Sequence, residues 1–156
     1  MKKFKFKLET VLKVKTRVED LRKLELREAE LRREEARLEL CRCQEEVEAN
    51  IRIYREKFQQ RINPEEANNY HLYLTWLNRQ VDLAMLKLQE RDQEVAEQRQ
   101  RLIEASKEKK ILEKLKEKAY QAFKAEQLNA EIKFLDELGT DRYIRDQVES
   151  QEVHER

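Results

Sequence analysis

One glycine and one proline in 156 residues leave almost nothing from which to build loops. A single glycine excludes the Gly-rich turn that cradles a phosphate. Cysteine is nearly as scarce. Cys41 and Cys43 stand two apart on a helical stretch, so they point in different directions and do not pair with each other. With His71 and His154 remote in sequence, four zinc ligands at workable spacing are missing, and no cofactor site is expected. No stretch approaches the roughly 18 apolar residues of a membrane-spanning helix. The opening residues alternate lysine with Phe4 and Phe6, without the apolar run of a secretory signal. Charge of one sign is lacking too: Lys+Arg 34 against Asp+Glu 33 gives +1, which sets up no global field for nucleic acid or an anionic membrane. No Ser/His/Asp or Cys/His set has a scaffold on which to converge, so the chain reads as a non-enzyme without nucleic-acid partners.

What is present is charge and helical periodicity. The chain is 43% charged and 39% hydrophobic, and its apolar residues recur at spacings of 3 and 4. From Ala67 the repeat runs Tyr70, Leu74, Leu77, Val81, Ala84, Leu88 and on to Ala130. Of its 19 positions 14 are apolar, the exceptions being Arg91, Gln98, Lys109, Lys116 and Glu126. A period of 3.5 residues sustained this long is the mark of a left-handed coiled coil.

The strong break is Asn63-Pro64-Glu65-Glu66. Asn63 suits the N-cap, Pro64 the first helical position, and Glu66 the third residue of a capping box. The expected fold is all-α, a long antiparallel two-helix coiled-coil hairpin over residues 1–138. Helix 1 covers about 6–61, the turn 62–64, and helix 2 about 64–138, where Gly139 is expected to end it. Residues 139–156 form a tail, a short helix or disordered. On helix 1 a heptad register fits Leu26, Ala29, Arg33, Ala36, Leu40, Cys43, Val47, Asn50 and Tyr54. The first half prefers another face, with Val14, Leu21, Leu24, Leu31 and Leu38. A hairpin places Phe6 near residue 120 and leaves helix 2 overhanging.

Two surfaces invite partners. Leu72, Trp76, Leu83 and Leu86 lie opposite the seam of helix 2, with Tyr73 on the flank, where a two-stranded coil should be polar. At the termini, Phe4, Phe6, Leu8, Val11 and Leu12 are expected beside Leu128, Ile132, Leu135 and Leu138, with Phe134 adding a ring. The first 15 residues hold Lys2, Lys3, Lys5, Lys7, Lys13 and Lys15 against Glu9 alone, while the last 16 lean acidic. Lys109 and Lys116 are seam lysines of the kind that fix register at some cost in stability.

The opening Phe4-Lys5-Phe6-Lys7-Leu8-Glu9-Thr10-Val11-Leu12, followed by Val18, Glu19 and Leu24-Glu25-Leu26, resembles the start of the FliJ family of flagellar type III export proteins. Lys133-Phe134-Leu135-Asp136-Glu137-Leu138, with Arg142 and Tyr143, resembles the family's end, and the turn and Asn69-Tyr70 agree. Gly139 and the acidic extension depart from the pattern. The resemblance implies a cytoplasmic, non-enzymatic protein peripherally associated with the inner-membrane export apparatus and serving motility and chemotaxis. Such a protein resembles the central stalk of rotary ATPases: its terminal end docks in the export ATPase ring and promotes assembly. The early part of helix 2 engages the cytoplasmic domain of the export gate protein, and export chaperones are further partners. Carried over by position, the gate surface includes Tyr73 and Leu77. Free, such a hairpin is expected to be monomeric. The stalk of a virulence-type secretion system, or a coiled-coil scaffold dimerising through Leu72, Trp76 and Leu83, are the other readings.

Overall fold

The computed structural model describes residues 3–61 and 63–154, with side chains described as far as residue 145. The described chain is two helices and no strand: α1, Glu9–Phe58, and α2, Pro64–His154. The all-α fold is as expected, with the two helices packed against each other.

Local chemistry sets the helix ends. Glu9 lies in the first turn of α1, and Arg55 and Lys57 in its last, each opposite in sign to the helix dipole there. Residues 3–8 precede the helix, so α1 starts later than expected; the Glu9 amide bonds to the Phe6 carbonyl at 3.2 Å. After Phe58 the chain turns, and Arg61 takes a left-handed φ of 62°. That conformation costs a non-glycine residue about 1 kcal/mol or more, and it lies where the chain reverses. Asn63 then caps α2. Its Oδ1 accepts the Glu65 amide at 3.3 Å, and its carbonyl accepts the Ala67 amide at 3.0 Å. Ile62 lies outside the described residues.

The chain divides into two compact units, Lys15–Glu108 and Met1–Val14 with Lys109–Arg156. In Lys15–Glu108 the helices run antiparallel. Contacts rise along α1 as they fall along α2: Lys15 with Glu108 (2.6 Å), Glu30 with Arg99 (3.0 Å), Arg32 with Glu94 (2.7 Å). Nearer the turn, the rings of Tyr54 and Tyr70 meet at 5.5 Å. The buried residues are mostly small: Ala29, Ala36, Ala84 and Ala105, with Val95 and Leu77. Alanine at these seam positions lets the backbones approach closely, and Leu77 is the one large, fully buried side chain among the described residues. Every expected seam position on α2 from Ala67 to Phe123 is buried or half-buried, as are Leu26 through Tyr54 on α1.

The expected change of face on α1 does not occur. Leu21, Leu24, Leu31 and Leu38 are all more than half exposed, as is Val14. The register of Leu26–Tyr54 instead continues backwards through Arg22, Glu19 and Lys15, which are buried or half-buried. The reason is the partner helix. Its heptad is unbroken through Leu102 and Ala105, so α1 keeps one face to it and carries polar residues inward. The inward carboxylate is satisfied there: Ser106 Oγ donates to Glu19 at 2.7 Å and Lys23 to the same carboxylate at 3.2 Å.

In the other unit, residues 3–14 lie along α2. Lys116 pairs with Glu9 at 2.7 Å, and the Phe4 ring meets Tyr120 edge-on at 5.2 Å and Phe123 at 5.6 Å. Gln127 is half-buried, and from Leu128 to Arg145 every position of α2 is exposed. Gly139 does not end the helix. α2 runs on to His154, and a side chain added at Gly139 would meet nothing within 4 Å. A mid-helix glycine is only about 1 kcal/mol worse than alanine, too little by itself to stop a helix of this length. Within the continuing helix the Thr140 hydroxyl donates back to the Asp136 carbonyl at 2.8 Å.

Candidate docking surfaces

Three exposed apolar surfaces stand out, two of them in the unit Lys15–Glu108. The first lies on α2 just after the turn. Leu72, Tyr73, Trp76 and Leu83 are all exposed, and the Tyr73 and Trp76 rings stack at 5.9 Å with an interplanar angle of 14°. Helical spacing of three residues makes that stack, and the seam's orientation turns it outward. Met85 and Leu86 extend the patch. Met85 was not legible in advance because it flanks the stripe rather than repeating it. Leu77 is corrected: at 1% exposure it is seam, and it presents nothing to a partner. Beside the patch, Tyr70 sits half-buried under Lys57, whose Nζ lies 5.3 Å from the ring centroid. A hydrogen bond with the Tyr70 side chain holds the Lys57 ammonium above its ordinary pKa.

The second surface is the outer stripe of α1, Leu21, Leu24, Leu31 and Leu38, assigned inward by the sequence reading and found outside. The available signal was the heptad of Leu26–Tyr54 carried back toward the N-terminus, which puts these leucines opposite the seam.

The third belongs to the unit of the termini. Phe4, Phe6 and Leu8 line an open groove of about 830 Å³ with Leu115, Ala119 and Phe123, edged by Lys3, Lys5 and Lys7. Phe4, Phe6 and Leu12 are half-buried, Leu8 and Val11 exposed. Phe6 was expected near residue 120, with Leu128, Ile132, Leu135 and Leu138 close by on the overhang. The N-terminal residues do pack on α2 around Tyr120 and Phe123, and the four later residues stand exposed with Phe134, Tyr143 and Ile144. The sequence-predicted docking set thus falls into two neighbouring parts, a packed groove and a bare helix.

Cys41 is exposed and Cys43 half-buried, both as free thiols; burial pushes the Cys43 thiol above its usual pKa. Among the described residues no helix is long and apolar enough to cross a membrane. The surfaces suit binding of macromolecules: open, apolar and set on helices.

Comparison with curated proteins and with solved structures gives no match. A family model described as Flagellar FliJ protein matches residues 4–148, nearly the whole chain and all three surfaces. The chain therefore belongs to the FliJ flagellar protein family, whose members are non-enzymatic proteins of flagellar export.

Proposed function

We propose that this chain is a stalk-like cytoplasmic component of the flagellar export apparatus that docks into the export ATPase ring and favours its assembly and activity. The docking element is the groove of Phe4, Phe6 and Leu8 with the adjoining helix of Leu128, Ile132, Leu135 and Leu138. The single observation that carries this reading is that bare helix. From Leu128 to Arg145 every residue is exposed, large apolar side chains included, at about 25 cal/mol per Å² of apolar surface left in water. Such a surface fits a partner that encloses it. A ring with several subunits around one helix would gain stability from it by mass action.

The Tyr73–Trp76 patch serves as the surface for the cytoplasmic domain of the export gate protein, since stacked aromatics on a rigid helix make good anchors. The outer stripe of α1 is the surface left for export chaperones. The test combines the purified chain with the export ATPase and follows hydrolysis and ring formation together. Stimulation that disappears on deleting residues 1–12, with helicity retained, supports the reading. Absence of both binding and stimulation by the intact chain overturns it.

A further inference from the structure

The unit of the termini is divided by charge along α2. Residues 3–14 and 109–124 hold ten lysines against three acidic residues, Glu9, Glu113 and Glu117. Residues 125–154 hold eight aspartates and glutamates against three lysines and arginines. Few of the lysines are neutralised. Among the described residues, Lys3, Lys5 and Lys7 beside the groove, and Lys110, Lys114 and Lys118 on α2, have no carboxylate partner. The last three repeat every four residues and so form one cationic line on the helix surface. Along the helix, the centres of the basic and acidic zones lie roughly 35 Å apart at 1.5 Å per residue. That is several Debye lengths at about 0.15 M salt, so a partner senses each zone separately.

We infer that this cationic collar docks on an acidic protein surface, and that the partner site is layered: acidic opposite the collar, apolar opposite Leu128–Leu138, and without excess negative charge opposite the acidic zone. A protein is favoured over a polyanion by the acidic zone itself. A nucleic acid or an anionic membrane drawn to the collar would repel the same helix a few turns later, whereas a folded protein can change sign along its surface. The aromatic rings beside the collar are also engaged with one another, Phe4 against Tyr120 and Phe123, which removes them as stacking platforms for bases.

The inference rests on the proposed function for the partner's identity, and the experiment separates the two. Binding of the full chain to the intact export ATPase is measured from 50 to 300 mM NaCl, for the wild type, for K110E/K114E/K118E and for K110Q/K114Q/K118Q. Circular dichroism verifies helicity in each. The expected result is an affinity that falls steeply with salt, a loss of about thirty-fold in the glutamate variant at 150 mM, and a smaller loss in the glutamine variant. Wild-type binding that is insensitive to salt and within twofold of the glutamate variant overturns the collar while leaving the stalk reading intact. No wild-type binding at any salt overturns both. The same proteins are sedimented with phosphatidylglycerol vesicles and with duplex RNA; capture of the wild type but not the glutamate variant by either overturns the assignment to a protein.

Discussion

Two neighbouring residues separate folding from binding. Leu77 is 1% exposed and Trp76 is 53% exposed, one turned into the seam and the other away from it. Replacing Leu77 by alanine removes the one large, fully buried side chain among the described residues and leaves a void between two helices. Leu→Ala changes in cores cost about 2–5 kcal/mol, more where the surroundings cannot collapse. A two-helix seam can close partway, so about 3 kcal/mol is expected. With a urea m-value of about 2 kcal/mol per M, the midpoint falls by roughly 1.5 M at unchanged m. Trp76→Ala loses only a half-exposed ring and its stack on Tyr73, worth about 1 kcal/mol or less. For binding the order reverses. If the Tyr73–Trp76 patch is the proposed gate surface, Trp76→Ala weakens association with the export gate's cytoplasmic domain by at least about tenfold, as loss of an aromatic anchor does, while Leu77→Ala leaves affinity unchanged once corrected for the folded fraction. Urea titration by circular dichroism, paired with binding below the transition, measures both. Equal destabilisation by the two variants would refute the seam assignment at this turn.

Ser106→Ala strips the buried Glu19 carboxylate of its 2.7 Å donor and costs about 1–2 kcal/mol, whereas Glu19→Leu with Ser106→Ala recovers most of that loss; a double-mutant cycle in urea checks both. Gln98 Oε1 is buried without a hydrogen-bond partner, so Gln98→Leu raises stability by about 1 kcal/mol, read as a higher urea midpoint. Gly139→Ala raises helicity and slows amide exchange around residues 135–143 several-fold, because the added methyl meets nothing and helix propensity improves by about 1 kcal/mol. Cys41 reacts with a thiol reagent ahead of Cys43. The Cys43 thiol is raised chiefly by burial, so its thiolate emerges at higher pH when folded than when unfolded. Its contribution to stability is therefore complete below the ordinary thiol pKa and declines as pH rises past it; labelling rates against pH show the shift, and urea midpoints over the same pH range show the loss.

Much of this was legible because one signal, the heptad, dominates the chain. Ala67 to Phe123 reads directly as a seam, and Asn63-Pro64 as a helix start, since local hydrogen bonding decides a cap with little help from tertiary structure. The first half of α1 was not legible by apolarity alone. There Leu21, Leu24, Leu31 and Leu38 outscore Lys15, Glu19 and Arg22 for the interior, and lose because α1 cannot rotate away from a partner whose register is already set. Gly139 misled for the converse reason. A glycine marks a helix end when packing or an αL turn uses it, and here neither does. The placing of the N-terminal aromatics near residue 120, with Leu128–Leu138 on the overhang, followed from pairing residues equally distant from the turn; that residues 3–8 are not helical did not.

Apolar side chains are divided between the seam and the outer faces. The seam mixes leucines and valines such as Leu74, Leu77, Leu88 and Val95 with alanines, a buried glutamate and the amide of Gln98, while further leucines face outward on both helices and a tryptophan on α2. Neither the polar seam residues nor the outward leucines serve stability. A polar seam residue weakens the packing, and outward leucines remain in contact with water. Places where a sequence breaks its own folding rules are where function is expected to reside. The outward residues also give an operational advantage: since they contribute little to folding, their replacement should leave both helices formed. A loss of export or of partner binding in Leu72, Leu83, Leu128 or Leu135 variants can then be assigned to the missing contact itself, provided helicity and urea midpoint are unchanged.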